Sequence, residues 1–327
     1  MPKFLSKRIA LLLTVFALAL TACGAAPATA QRPPLKVGWV LWGGWYPILI
    51  AQEKGFFEKH GVQVEPVYYD IYSEIPGDFA SQKLDGALFA LFDILPLESQ
   101  KINSGDRVVM ITDNSFGADA IVAKAEIATP ADLKGKRLGV KIGSYAQVLI
   151  MKMLEASGLS LTDVKLVDIL PERAAEALAE DQVDAVHSYE PYVTQATRQG
   201  YHTIYSSVDT PGLIANVLAF QASVIRDRPE DVRAFIDAWF EAQSYWLQHP
   251  EEGNGIIARL TGQNPEDISY AGIALYTLDD NLNAFQTGTD TTSLYYSAQI
   301  NLDFLINSGT ISVAPNLNVL LDPAFLQ

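Results

Sequence analysis

The chain has 327 residues, 49% of them hydrophobic, and a net charge of −15 from 23 Lys and Arg against 38 Asp and Glu. That acidity excludes a nucleic-acid binder, whose surface carries basic stripes, and argues against a strongly anionic ligand drawn in by long-range attraction. A single cysteine, Cys23, leaves no internal disulfide and no thiolate metal site.

Lys3, Lys7 and Arg8 precede an apolar run over 9–20, which closes on Leu20-Thr21-Ala22-Cys23. A charged start, a short apolar stretch and small residues at a processing point predict a secretory signal over 1–22. The run falls short of the about 20 apolar residues that a comfortable membrane span needs. Because it ends on cysteine it reads as a lipobox: cleavage leaves an acylated Cys23 first, and the protein is expected outside the cytoplasm, lipid-anchored to a bacterial membrane. Residues 23–34 are small, polar and Pro-bearing, which predicts a flexible tether.

From there the hydrophobic period keeps switching. Residues 36–40 predict a strand, Pro47 opens a helix that Gly55 stops, 62–69 is a strand and 74–83 a short helix. Residues 86–90 predict a third strand, with Asp93 placed to cap the next helix, and 107–112 a fourth. The same grammar repeats: strand 137–141, a helix capped by Ser144 with Val148, Leu149 and Met153 inward, strand 164–169, helix 174–179, strand 184–187, helix 191–198 and strand 203–205. Residues 218–224 give one more strand, and from Pro229 the pattern is mostly helical, led by 230–248.

Strands alternating with helices define an α/β fold with parallel sheets covered on both faces. Two such runs and a helical tail predict two lobes, with crossings near Gly117-Ala118 and Ala219-Phe220. Lobe 1 would hold 35–117 and 220–327, and lobe 2 would hold 118–219. Each is expected to be a mainly parallel sheet flanked by helices. Ligands of such sheets lie beyond the carboxyl ends of the strands, which places the site in a cleft between lobes that closes by hinge motion.

The loops at those strand ends carry the candidate residues. Trp42, Trp45 and Tyr46 crowd a Gly-Gly turn where packing alone does not call for three large rings, and such faces stack on flat ligands. Tyr72 follows the second strand, Phe92 and Asp93 the third, and Asp113, Asn114 and Ser115 the fourth, with Asn114 a candidate for a hydroxyl or ring nitrogen. Gly143, Ser144 and Tyr145 open a helix whose N–H groups can meet oxygens. Tyr189 can stack, and Glu190 can accept from an amine, imide or hydroxyl. His187 reads as an ordinary strand residue. These loops offer Asp70, Asp93, Asp113 and Glu190 but no Arg or Lys, so a neutral or amine-bearing flat ring suits them better than an anion.

A family resemblance adds to this. Lys36-Val37-Gly38-Trp39, the stretch 47–57 (PILIAQEKGFF) and Gly61-Val62 resemble the opening of substrate-binding components of ABC importers for nitrate, aliphatic sulfonates, taurine and thiamine pyrimidine precursors. The likeness continues at Leu84-Asp85-Gly86-Ala87, at 132–137 (DLKGKR), Gly143-Ser144, 155–159 (EASGL), Asp184-Ala185-Val186 and Glu190-Pro191. It implies a two-lobed type II periplasmic-binding-protein fold, no catalysis and no cofactor. It also implies partners: a permease transmembrane subunit with its ATPase. In sulfonate and nitrate relatives the Gly143-Ser144 position serves the anion; here the acidic, aromatic loops point to a vitamin-binding branch. Riboflavin is the first expectation and a thiamine pyrimidine precursor the second, with an aliphatic sulfonate, taurine or nitrate as the alternative. Eukaryotic relatives that make the pyrimidine use a cysteine-rich segment, which this sequence lacks, and no G-x-S-x-G, P-loop or H-E-x-x-H motif occurs.

Overall fold

A computed structural model describes residues 32–100 and 105–327; the expected signal, Cys23 and the tether up to Gln31 lie outside the described residues. In chain order the strands are β1 (Leu35–Trp39), β2 (Val64–Tyr68), β3 (Gly86–Ala90), β4 (Arg107–Ser115), β5 (Asp119–Ala123), β6 (Arg137–Val140), β7 (Lys165–Asp168), β8 (Ala185–Tyr189), β9 (His202–Ser206), β10 (Ala215–Phe220) and β11 (Ile273–Leu275). They build a six-stranded sheet ordered β11-β4-β10-β3-β1-β2 and a five-stranded sheet ordered β7-β6-β8-β5-β9. The fold is α/β with two lobes, one around each sheet.

Pairing corrects one expectation. The sheets are mixed rather than mainly parallel: β1 runs parallel to β2 and β3, and β6 to β7 and β8, but β10 is antiparallel to β3 and β4, and β5 to β8 and β9. The reason is the crossings. A strand that arrives from the other lobe starts at the cleft edge, so it runs against strands that end there. β5 enters the second sheet this way and β10 the first. Since β10 already belongs to the first sheet from Ala215, the return crossing precedes that residue rather than lying at Ala219-Phe220.

The crossing segments touch. Ser207 Oγ accepts from the Gly117 N–H at 2.6 Å and lies 2.8 Å from Ser115 Oγ, while the Ser115 N–H donates to Ile214 O at 3.0 Å. Phe116 and Ala118 N–H both donate to Gly272 O, at 2.7 and 3.0 Å. Gly272 has φ +75°, and a Cβ there would stand 2.7 Å from the Ala118 nitrogen, so this approach requires glycine.

The core of the first lobe lies between its sheet and the helices Pro47–Glu53 and Pro229–Gln248. In the long helix Val232, Phe235, Ile236, Trp239, Ala242 and Trp246 recur at three- and four-residue spacing and are buried. Phe235 sits 5.1 Å from Phe57 and 5.6 Å from Phe220, centroid to centroid; each ring so buried contributes roughly 1.5–3 kcal/mol. In the second lobe β5 and β8 are buried along their whole length, with separate apolar clusters on the two faces of that sheet.

Several strand ends reach further than their hydrophobic pattern. β4 continues through Asp113, Asn114 and Ser115, and β8 through His187 to Tyr189, so these polar residues are strand positions and not loop residues. The helix Leu91–Gln100 follows β3 without a gap, which puts Asp93 inside its first turn instead of at its cap. Ser144 does not cap the helix Ala146–Ala156: Tyr145 stands at that position, and Ser144 Oγ donates to Lys141 O at 2.7 Å.

Candidate ligand-binding cleft

Both lobes bring aromatic rings to the cleft. From the first come Trp42 and Trp45, on the turn after β1, and Tyr72, on the turn after β2; from the second come Tyr145, ahead of its helix, and Tyr189, at the end of β8. Trp42 and Tyr189 meet edge to face across the lobes at 6.0 Å, and Tyr72 and Tyr145 do so at 6.3 Å. Trp45 lies 6.1 Å from Tyr72. These five rings, with Asp119 and Asn216, surround a cavity of about 20 Å³, room for one water. A second cavity, of about 230 Å³, shares Tyr72, Tyr145 and Tyr189 and is further lined by Asp93, Gly143, Ser144, Glu172 and His187.

Hydrogen bonds hold the rings in place. The Trp42 indole donates to Asp113 Oδ1 at 2.9 Å. Tyr72 donates to Asp93 Oδ2 at 2.5 Å and accepts from the Ala90 N–H at 2.8 Å. Tyr145 donates to Asp119 Oδ1 at 2.9 Å, and Tyr189 to Glu172 Oε1 at 2.7 Å. The same Glu172 oxygen accepts from the Tyr72 N–H at 3.3 Å, a bond that joins the lobes. Burial pushes the phenols of Tyr72, Tyr145 and Tyr189 well up, so they stay protonated donors. Burial also raises the Asp93 carboxyl to about 7 and that of Asp113 to about 6, against the donors that favour their charged forms.

Three lining residues keep a buried polar atom without a partner: Trp45 Nε1, Glu172 Oε2 and His187 Nδ1. Such atoms are uncommon in native folds.

The sequence-derived candidates fall into groups. Trp42, Trp45, Tyr72, Tyr145 and Tyr189 line the small cavity, and Asp93 and Ser144 join three of them around the larger one. Tyr46 and Glu190 line a different cavity, of about 420 Å³, bordered by residues 262–271. Tyr46 accepts from Gln263 at 2.9 Å and packs on Trp246; Glu190 Oε2 accepts from the Thr194 N–H at 3.1 Å and so supports a helix start. Phe92 is buried against Phe304. Asn114 donates to the Tyr276 hydroxyl at 2.5 Å and lines neither cleft cavity. Cys23 lies outside the described residues.

Asp119, Glu172 and Asn216 were not among the candidates. Asp119 opens β5, a strand flanked by Gly and Ala that shows no alternation. Glu172 belongs to a Pro-Glu-Arg turn that reads as a helix start, and its partners are Tyr189 and, 100 residues away, Tyr72.

Two facing α/β lobes with a ring-lined cleft between them define the class of two-lobed periplasmic binding proteins. The alkanesulfonate-binding protein SsuA from Xanthomonas axonopodis pv. citri superposes with a TM-score of 0.73 over 90% of this chain and 100% of that one, at 16% identity. Residues 43–253 match the family model described as NMT1/THI5 like, and the chain belongs to that family. A Haemophilus influenzae protein named for thiamine biosynthesis is 28% identical over 230 residues, 68% of this chain and 71% of that protein. The riboflavin-binding protein RibY of Chloroflexus aurantiacus is 27% identical over 245 residues, 70% of this chain and 67% of its own.

Proposed function

We propose that this protein is the extracytoplasmic solute-binding component of an ABC importer, tethered through an acylated Cys23, which captures a small flat heteroaromatic vitamin or vitamin precursor. The observation that carries the reading is the set of five rings from both lobes meeting at the interlobe cleft. Rings on both sides sandwich a flat ligand only when the lobes close, so closure reports occupancy, and the closed shape is what a permease subunit would read. Energy for transport enters at the ATPase, and the binding protein itself carries out no chemistry.

Cavity size refines the ligand. The larger cavity, about 230 Å³, falls below the roughly 300–1,000 Å³ usual for drug-sized ligands. It favours a single-ring pyrimidine precursor over riboflavin, reversing the order expected from the loops. A sulfonate or nitrate is disfavoured by the Glu172 side chain on the cavity wall, where Lys141, the lining cation, is engaged by Asp168 at 3.1 Å.

Ligand-induced thermal stabilisation of the full chain tests this, with an aminopyrimidine, riboflavin, taurine, an alkyl sulfonate and nitrate as the panel. Ligand at a hundredfold over its dissociation constant adds about 2.7 kcal/mol, a shift of several degrees. A shift with a heterocycle is expected; a shift with sulfonate or nitrate alone overturns the ligand class.

A further inference from the structure

We infer that Asp113, Thr112 and Asn216 form a hydrogen-bond relay that holds the Trp42 ring in one position whether the Asp113 carboxyl is charged or neutral. All three are positioning residues that act through Trp42, and what they do is independent of the solute that the protein takes.

The relay begins with an irregularity of pairing. Neighbouring side chains of a strand point to opposite faces, so a regular ladder would hold Thr112 and Asp113 apart. Between β4 and β10, however, Asp113 pairs with Asn216 and Ile111 with Val217, which leaves Thr112 without a partner on β10. A bulge of this kind re-aims a side chain. Here the Thr112 hydroxyl reaches both Asp113 Oδ2, at 2.8 Å, and the Asn216 carbonyl oxygen, at 3.3 Å. Thr112, Asp113 and Asn216 are all buried.

A hydroxyl has one proton, so Thr112 donates to one of those acceptors at a time. With Asp113 charged, that proton goes to Oδ2, while Oδ1 accepts from the Trp42 indole at 2.9 Å and from Asn216 Nδ2 at 2.7 Å. When water supplies a proton to Oδ2, the new O–H donates to Thr112 Oγ and the Thr112 proton turns to the Asn216 carbonyl. Every donor is paired in both states, and Oδ1 keeps the Trp42 and Asn216 bonds throughout. A buried carboxyl without that outlet would strand its own proton or displace a donor.

The surroundings favour proton uptake. The turn after β1 presents Trp42 and β10 presents Asn216, and neither titrates. Asp119 on β5 and the Tyr276 phenol after β11, the titratable groups that interact with Asp113 among the described residues, are themselves acids. Burial, with the Asp119 charge, raises the carboxyl to about 6.

Hydrogen exchange at the Trp42 indole N–H tests the relay, read by NMR on the full chain with isotope-labelled tryptophan and aspartate. The indole signal is identified by its absence in Trp42→Phe. As pH falls from 8 to 4.5, the Asp113 carboxyl carbon of the wild type should titrate with a midpoint of about 6. Over the same range the protection of the Trp42 indole should stay within about tenfold, the difference between a charged and a neutral acceptor. Asp113→Asn places an amide donor where the protonated carboxyl has its O–H, and at pH 8 it should hold the indole to that same limit. Thr112→Ser, which keeps the hydroxyl, should follow the wild type, whereas Thr112→Val in the Asp113→Asn chain should lower protection at least tenfold further. A wild-type indole that loses protection as Asp113 takes its proton overturns the inference without any variant, and so does a carboxyl that stays charged down to pH 4.5. A folded Asp113→Asn protein whose Trp42 exchanges like free tryptophan overturns it as well.

Discussion

Trp42 and Asp113, 71 residues apart, are joined by a hydrogen bond of 2.9 Å from the indole N–H to a buried carboxylate. A ring on the turn after β1 is thereby fixed by the cleft end of β4. Asp113 also accepts from Asn216 at 2.7 Å and from the Thr112 hydroxyl at 2.8 Å, so its carboxylate has little freedom to move.

Gly44 makes that arrangement possible, because a Cβ there would stand 2.1 Å from Asp113 Oδ2. Gly44→Ala should displace the carboxylate from Trp42 and lower stability by about 1–3 kcal/mol, the usual cost of overpacking. Differential scanning calorimetry reads the effect directly. An unchanged melting point would mean that the carboxylate steps aside at no cost.

Asp93 should make stability pH-dependent in an unusual direction. Between the ordinary carboxylate range and its native value of about 7, the folded protein keeps a proton that the unfolded chain has lost. Its contribution therefore declines as pH rises through that window. Asp93→Asn removes the titration, and an amide oxygen can still accept from Tyr72. The variant should exceed the parent by about 1–3 kcal/mol at pH 8, allowing for the residue's partial exposure, and by far less at pH 4. Paired thermal melts at the two pH values decide; a constant difference would assign the effect to packing.

Replacing both Trp42 and Trp45 by alanine should weaken heterocycle binding by at least a hundredfold, because one lobe then offers no indole face to the cleft. Titration calorimetry gives the affinity, and circular dichroism confirms that the lobes still fold. Parental affinity in the double variant would make both rings structural.

The Arg198–Asp267 pair, 2.7 Å long with its arginine exposed and its aspartate half-buried, links the second lobe to a turn of the first. Pairs at the surface add little to stability, so Arg198→Ala should leave the melting point within about a degree or two. Ligand release, which needs the lobes to part, should quicken several-fold in stopped-flow measurements. Equal release rates would show that the pair has no part in closure.

Much of this organisation is legible in the sequence because its cause is local. The helix Ala174–Ala179 and strand β3 fall where periodicity puts them, and the rings around Gly43-Gly44 announce themselves at a strand's end. What escapes is what depends on pairing across the fold. β5 is buried on both faces and so shows no alternation. Asp113 and Tyr189 remain in strands whose polar ends are satisfied by distant partners. Glu172 looks like a surface turn residue until the lobes are brought together, and only then does its role as a bridge exist.

The bonds among Ser115, Gly117, Ser207 and Ile214 make the outgoing and returning chain segments behave as one spine. Two tethers fastened side by side resist twisting far more than bending. Opening and shutting like a book is therefore the motion expected of the lobes, with the fore-edge as the way in and the same rings brought back into register at each closure.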